Sequence, residues 1–456
     1  MRFAICSTFA YGVLLLSSIQ MSAQTALPSF NNTLMPQPAK LTADQGGFVV
    51  SSSFTVAAPQ FRDERLDAGI GRMLHRLEYQ TGVSIGKEIQ KAPANAALVI
   101  DVKGAGEAIQ SVDEDESYSL SVTSNGAKLQ ANTVVGALRG METFLQLVQP
   151  DRSGYFLPAV SIEDTPRFRW RGLLIDCGRH FEPISVIEHT LAGMAAVKLN
   201  VFHWHLTEDQ GFRIESKLYP KLAGMGSDGL YYTQEQAKEV VAYARARGIR
   251  VVPEFDMPGH SVSWFVGYPE ISSGPGPYQI RREFGIADEA MDPTRDSTYK
   301  FLDGFIGEMA TIFPDPYLHI GGDETNGAQW KGNPRIVEFM QKHDMKDTAA
   351  LQAYFNQHLL KILEKHHKHM IGWDEVLNPA LPKDVVVQSW RGTDSLAAGA
   401  KQGYQGILSA PYYLDGMKSA EEHYLADPLP TNSDLTPQQQ ALILGGEVCM
   451  WGEQLY

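Results

Sequence analysis

Two adjacent carboxylates behind a glycine pair, Gly321-Gly322-Asp323-Glu324, are the residues of this chain best placed to do chemistry. They follow His319 and close a short apolar run at 317–320. Side chains at neighbouring positions diverge on an extended backbone, so the two acids reach one substrate from different angles just past a strand end. That differs from two carboxylates facing each other across a bond, and it invites a mechanism in which the substrate supplies the nucleophile. Other apolar runs end in the same way. Asp176 and Arg179-His180 come at the end of 172–177, and His203, His205, Glu208 and Asp209 at the end of 199–203. Glu254, Asp256 and His260 follow 249–253, while Trp373-Asp374-Glu375 and Trp390-Arg391 end 370–373 and 385–390. Tyr412, Tyr413 and Asp415 come after 406–409, and Glu447, Trp451 and Glu453 lie in or after 442–450. Carboxylic acids protonate glycosidic oxygens, Trp and Tyr faces stack on pyranose rings, and Arg and Asp fork onto hydroxyls. The set therefore suits hydrolysis of sugars.

Eight apolar, β-branched runs separated by helical patterns are what a parallel sheet of βα units requires. Their extent, 172–450, matches a (β/α)8 TIM barrel, in which functional side chains project from the C-terminal ends of the strands. A purely structural barrel has no reason to gather so many desolvated polar groups at one rim. Ahead of the barrel, short alternating strands at 47–50 and 97–101 and a hairpin at 118–130, turning at Asn125-Gly126, accompany helical patterns at about 62–80 and 133–148. This reads as a small α+β domain ending near Asp164-Thr165-Pro166. The expected fold class is thus α/β, with a leader at 1–23, a small domain at 24–165 and a barrel at 166–456. The last run ends a few residues before Tyr456, which leaves no room for an eighth helix. Either the chain is a fragment or the outer ring is open there.

Composition narrows the partners. The 39 basic and 53 acidic side chains give a net charge of −14, which repels phosphate backbones and argues against nucleic acid. Arg2 and the apolar stretch at 3–19, with Ser22-Ala23 before Gln24, read as a signal peptide and imply a secreted or periplasmic protein. An uncleaved anchor is the competing reading, and no later segment approaches a membrane span.

The segment His319-Ile320-Gly321-Gly322-Asp323-Glu324 resembles the catalytic signature of glycoside hydrolase family 20, the β-N-acetylhexosaminidases. Segments 203–210, 252–260, 373–375, 410–415 and 445–453 resemble that family as well, in the same order. The resemblance implies an exo-acting, retaining reaction in which the 2-acetamido oxygen attacks the anomeric carbon and forms an oxazolinium ion. Asp323 would orient the acetamido group and stabilise its charge, and Glu324 would serve as acid, then base. Arg179 would hold distal hydroxyls with help from Glu453. Trp373, Trp390 and Trp451 would wall the subsite, Tyr413 would bond the acetamido oxygen, and Asp415 a hydroxyl. His260 would tune Glu324 through Glu208, with Asp209 beside it; many members of the family carry Asp at the position of Glu208. Substrates would be N-acetylhexosamine-terminated glycans or chitin oligosaccharides, with no cofactor.

Other readings compete. Asp323-Glu324 as an exposed turn, Arg179 as a surface arginine and the three Trp as core are the bland ones. His203-x-His205 is a zinc-type pattern, but later strands offer Trp instead of further ligands, so hydrogen-bonded histidines are the default. His366-His367-Lys368-His369 reads as a solvated basic helix end. Cys177 and Cys449 fall on the first and last strands and read as free thiols, a disulfide being the alternative. A catalytically inactive sugar-binding protein on the same scaffold is the rival class.

Overall fold

The computed structural model describes residues 30–152 and 154–453; the leader read at 1–23 lies outside them. The small domain is one mixed sheet. Its strands run in the order Lys40–Val50, Gly154–Asp164, Tyr118–Thr123, Gly126–Ala131, Leu98–Val102, Val56–Ala57 and Ile89–Gln90. Helices Glu64–Thr81 and Val134–Gln146 pack on it and share one apolar core with its strands. Both helices begin where the sequence offers a cap: Asp63 accepts from Leu66 N and Thr133 from Gly136 N, satisfying amides that no turn can reach.

The expected barrel is present and closed. Its strands are, in chain order, Trp170–Asp176, Val201–His205, Arg250–Glu254, Tyr317–His319, His369–Trp373, Val386–Ser389, Gln405–Leu408 and Ile443–Met450. Parallel pairing of the last strand with the first completes the ring, Gly445 opposite Trp170 through Met450 opposite Ile175. The lower interior is a plug of Trp170, Val201, Val252, Ile371, Val386, Ile407 and Leu444. A larger core fills the space between the strands and helices such as Ile184–Ala196, Gln234–Arg245, Asp296–Ala310 and Thr348–Lys365. The outer ring departs from the ideal. Strands five and six are joined by a 3-10 turn, Asp374–Val376, and strands seven and eight by short helices, Ala420–Leu425 and Pro437–Gln440. Those loops leave room for Asp374, Glu375 and Asp415 at the rim. Among the described residues no helix is long and apolar enough to cross a membrane.

Two readings meet direct structural outcomes. Cys177 and Cys449 are buried free thiols. Lys368 is not a solvated helix-end charge: it is buried, and its ammonium donates to the carbonyls of Phe313 and Asp315, which would otherwise lack partners.

Candidate active site

Past His319 the chain turns sharply, with Gly321 at φ 67°, Gly322 at φ 93° and Glu324 at φ 48°. Glycine is required at 321, since a Cβ there would collide with the Asp256 carboxyl. Glu324 holds a left-handed conformation that costs an L-residue about 1–2 kcal/mol. The turn is secured from three sides: Gly321 N donates to His319 Nδ1 at 3.0 Å, Gly322 N to Asp256 Oδ1 at 3.1 Å, and Gln352 Nε2 to Gly322 O. It delivers the two acids into different surroundings, with Asp323 18% exposed and Glu324 34%.

Asp323 lies close to Asp256, a carboxylate oxygen of each within 4.8 Å of the other. Burial, and then the charge of Asp323, push the Asp256 carboxyl well above its usual range. Burial likewise raises Asp323, against the pull of His260. Oδ1 of Asp323 is buried and has no hydrogen-bond partner among the described residues.

His260 stands behind the pair. Its Nδ1 is 2.7 Å from Glu208 Oε1, and its Nε2 lies 3.4 Å from Glu324 and 3.8 Å from Asp323, hydrogen-bonded to neither. The order therefore differs from that expected: His260 itself faces Glu324, and Glu208 lies behind it. The reason is reach, since the loop after strand three swings His260 over the rim while Glu208 stays packed against strand two. Glu208 also meets Arg179 at 3.0 Å and His205 at 3.3 Å. Burial alone would raise Glu208, but Arg179 and His260 outweigh it and hold it well below the usual carboxylate range. Asp209 is engaged elsewhere, by Val262 N and the Arg281 guanidinium; burial and the charge of Glu208 push it up to about 6.

Arg179 is gripped by Asp176 at 3.0 Å and Glu208 at 3.0 Å, with Glu453 at 3.9 Å, and its guanidinium lies over the Trp451 ring. Its burial opposes the charge, but these acids raise its pKa. Trp373 and Trp451 pack with centroids 5.7 Å apart, and Tyr413 lies 6.1 Å from Trp451. Trp390 joins the same cluster, its backbone N donating to Asp374 and its Nε1 to Glu375. Oδ1 of Asp415 is buried without a hydrogen-bond partner among the described residues. Arg179 links the two groups of the rim: it stacks on Trp451 beside Tyr413, Trp373, Trp390 and Glu453, and it pairs with Glu208, which holds His260 against Glu324 and Asp323.

Asp176, Glu254, Asp256, Asp374 and Glu375 were visible at strand ends but carried no assigned role. The signal was their position alone; their work depends on which neighbour each meets. Glu375 is pushed up to about 7 by burial and by the charge of Asp323. Among the described residues three groups, two of them fully buried, bring ligand atoms within 4.8 Å of one another: His203, Glu254 and His319; Glu208, Asp209 and His260; and Asp256, His260 and the half-buried Asp323. Carboxylate–imidazole contacts link several of their members, and both ring nitrogens of His203 and of His205 lie against carboxylates.

The family model described as glycosyl hydrolase family 20, catalytic domain, matches residues 168–456, and that of family 20, domain 2, matches 31–165. The chain is 38% identical over 385 residues to β-hexosaminidase subunit alpha of Rattus norvegicus, covering 81% of this chain and 72% of that subunit. The solved chitobiase of Flavobacterium johnsoniae superposes with a TM-score of 0.89 at 43% identity, over 92% of this chain. This chain spans 65% of that one. An exo-β-N-acetylglucosaminidase from Vibrio harveyi, solved in complex with N-acetylglucosamine, superposes with a TM-score of 0.78 at 26% identity, over 94% of this chain and 72% of that one.

Proposed function

Because the chain belongs to glycosyl hydrolase family 20, we propose that it removes terminal, non-reducing, β-linked N-acetylhexosamine from glycans or chitin oligosaccharides. The observation that carries this reading is the unpartnered, buried Oδ1 of Asp323 beside the more open Glu324. A buried acceptor without a donor is expensive to maintain unless a ligand completes it. The acetamido N–H of a 2-acetamido sugar is such a donor. Aligned by Asp323, the acetamido oxygen closes on the anomeric carbon as the glycosidic bond breaks, giving an oxazolinium ion and retention of configuration. Glu324 gives its proton to the departing oxygen and later takes one from water. Asp256 beside Asp323 has its carboxyl pushed well above the usual range by burial and by the charge of Asp323, which favours a proton between the two acids.

Around the same rim, Arg179 offers its guanidinium to sugar hydroxyls, with Glu453 and the Asp415 Oδ1, unpartnered among the described residues, as acceptors. Trp373, Trp390 and Trp451 enclose the acetamido methyl, and Tyr413 donates to the acetamido oxygen. The Vibrio harveyi relative, solved with N-acetylglucosamine, supports that epimer as a substrate. N-acetylgalactosamine differs at one hydroxyl and belongs to the same proposal. With the leader read at 1–23, the activity is secreted or periplasmic.

The test is release of nitrophenol from 4-nitrophenyl N-acetyl-β-glucosaminide by the folded protein, before and after Glu324→Gln. The variant should lose nearly all turnover while still binding N-acetylglucosamine. A folded parent without activity overturns the assignment.

A further inference from the structure

Beneath the catalytic pair, one line of acids and imidazoles crosses the barrel. Glu447 Oε1 of the last strand is 2.6 Å from His203 Nδ1, and His203 Nε2 lies 3.0 Å from Glu254 Oε2. The same Glu254 oxygen is 2.5 Å from His205 Nδ1, and His205 Nε2 is 3.3 Å from Glu208 Oε2. Glu208 Oε1 then meets His260 Nδ1 at 2.7 Å, and His260 Nε2 faces Glu324 at 3.4 Å. Carboxylate and imidazole alternate from end to end. Register makes this possible: His205 sits opposite Glu254 across strands two and three, and Gly172 in the first strand leaves the space that the Glu447 carboxylate fills.

A neutral imidazole has one N–H and one lone pair, so it cannot donate to two carboxylates at once. His205 is hydrogen-bonded to a carboxylate at both nitrogens, while His203 bonds Glu447 through Nδ1 and holds its Nε2 3.0 Å from Glu254 without hydrogen-bond geometry; both rings are 1% exposed. For His205, serving both neighbours requires the imidazolium form, for His203 the two flanking carboxylates favour it, and low surrounding polarity makes each charge strongly felt by the next. We propose that Glu447, His203, Glu254 and His205 are positioning residues for the catalytic proton, a buried line of alternating charge that acts through Glu208 and His260 on Glu324. The inference rests on Glu324 being the acid/base of the proposed hydrolysis.

The electrostatics agree with it. Burial opposes charge on His203, yet Glu447 and Glu254 push it up to about 9. Burial is also outweighed at His205, chiefly by Glu254, and at His260, chiefly by Glu208. Glu254 is held well below the carboxylate range by His205, His319 and His203 despite its burial. His319 branches off the line: its Nδ1 lies 3.1 Å from Glu254 Oε1 and 3.0 Å from Gly321 N, and burial lowers its pKa. The other groups facing the line are Asp176 near His205, Arg179 and Asp209 near Glu208, and Asp323 and Asp256 near His260 and Glu324. The donors Trp170, Gln388 and Trp373 complete Glu447 and Glu254.

The sign follows from position. Neutralising Glu447 frees His203 to shed its extra proton. The cation lost is nearer to Glu324 along the line than the anion lost, so the potential at Glu324 becomes more negative and its proton is held to higher pH. In Glu447→Gln, the alkaline limb of kcat/KM for 4-nitrophenyl N-acetyl-β-glucosaminide should move up by about half a pH unit or more, with KM within about twofold of the parent. Trp170→Phe removes another hydrogen bond to the same carboxylate without changing the line's charges and should leave the profile in place. An unmoved profile in folded Glu447→Gln, or equal movement in both variants, overturns the proposal. Side-chain 15N spectra of the unmodified protein test it without relying on any variant's folding: at pH 7 both nitrogens of His203 and His205 should carry protons. A neutral His205 overturns the relay. If the unmodified protein hydrolyses no N-acetyl-β-hexosaminide, the functional reading falls instead, and the spectra still decide whether the charges alternate.

Discussion

At the scale of single residues, the proposed hydrolysis gives the sequence neighbours Asp323 and Glu324 separable tasks, and substitution should separate them. Glu324→Gln keeps the shape but has no proton to give, so kcat should fall by roughly 10²–10⁴-fold, as removal of a general acid does. A substrate with a very good leaving group needs less protonation and should be hydrolysed by the variant with a much smaller deficit; stopped assays on nitrophenyl and dinitrophenyl glycosides measure this. In that mechanism Asp323→Asn loses the charge that would face the oxazolinium. It should slow good and poor leaving groups alike by roughly 10²-fold or more, and equal rates for Asp323→Asn and the parent would remove Asp323 from the mechanism. These residues were legible because Gly-Gly-Asp-Glu follows an apolar run. The partners of Asp323 were less so. Asp256 was visible at its strand end, but the upward push on its carboxyl depends on burial and on facing Asp323, which only three-dimensional proximity supplies.

Among elements, the turn after the fourth strand is the most demanding. Gly321→Ala would force a side chain into the Asp256 carboxyl at a positive φ. The backbone penalty alone is about 1–2 kcal/mol, and a displacement of about 1 Å at the acids is enough to lower kcat by roughly 10²-fold. Circular dichroism should show a folded protein and the assay a nearly inactive one; full activity would show that the turn has slack. The strands themselves were readable, each apolar run coinciding with a barrel strand to within a few residues, because buried parallel strands must be almost wholly apolar. The pairing among His203, His205, Glu254 and Glu447 was not, since it is set by register around a closed ring. Lys368 was misread for a related reason: a basic run at a helix end normally faces water, and here the descending chain turns one ammonium inward onto carbonyls.

For the molecule as a whole, the two domains are joined by a buried ionic seam. Glu116 of the small domain bonds Arg139 and the barrel's Arg171, both at 2.6 Å, and Asn200 at 2.8 Å, while Arg139 reaches the Gly248 carbonyl ahead of the third barrel strand. Burial alone would raise Glu116, but the two arginines hold it below its usual value. Glu116→Gln leaves Arg139 buried without its counter-charge, so unfolding free energy should drop by about 3–5 kcal/mol, measured by urea denaturation near pH 7. A group whose folded pKa is depressed stabilises above its unfolded pKa, about 4.3, and loses that contribution as pH falls through the folded value. The gap between parent and variant should therefore narrow below about pH 4.3; a gap independent of pH would show that Glu116 acts by packing alone.

The closing of the ring also has a schedule. Trp170 and Glu447, hydrogen-bonded across the junction of first and last strands, are 277 positions apart. On a ribosome the first strand emerges roughly tens of seconds before its partner exists, and a bare strand edge is a template for wrong pairings. The small domain is complete by then, its last strand ending at Asp164. Its Glu116 is ready to take hold of Arg171 as that strand appears. The residues of the seam that joins the finished domains, Glu116, Arg139, Arg171 and Asn200, are thus all made long before the last strand, so its contacts can form while the first strand's other edge still waits for its partner.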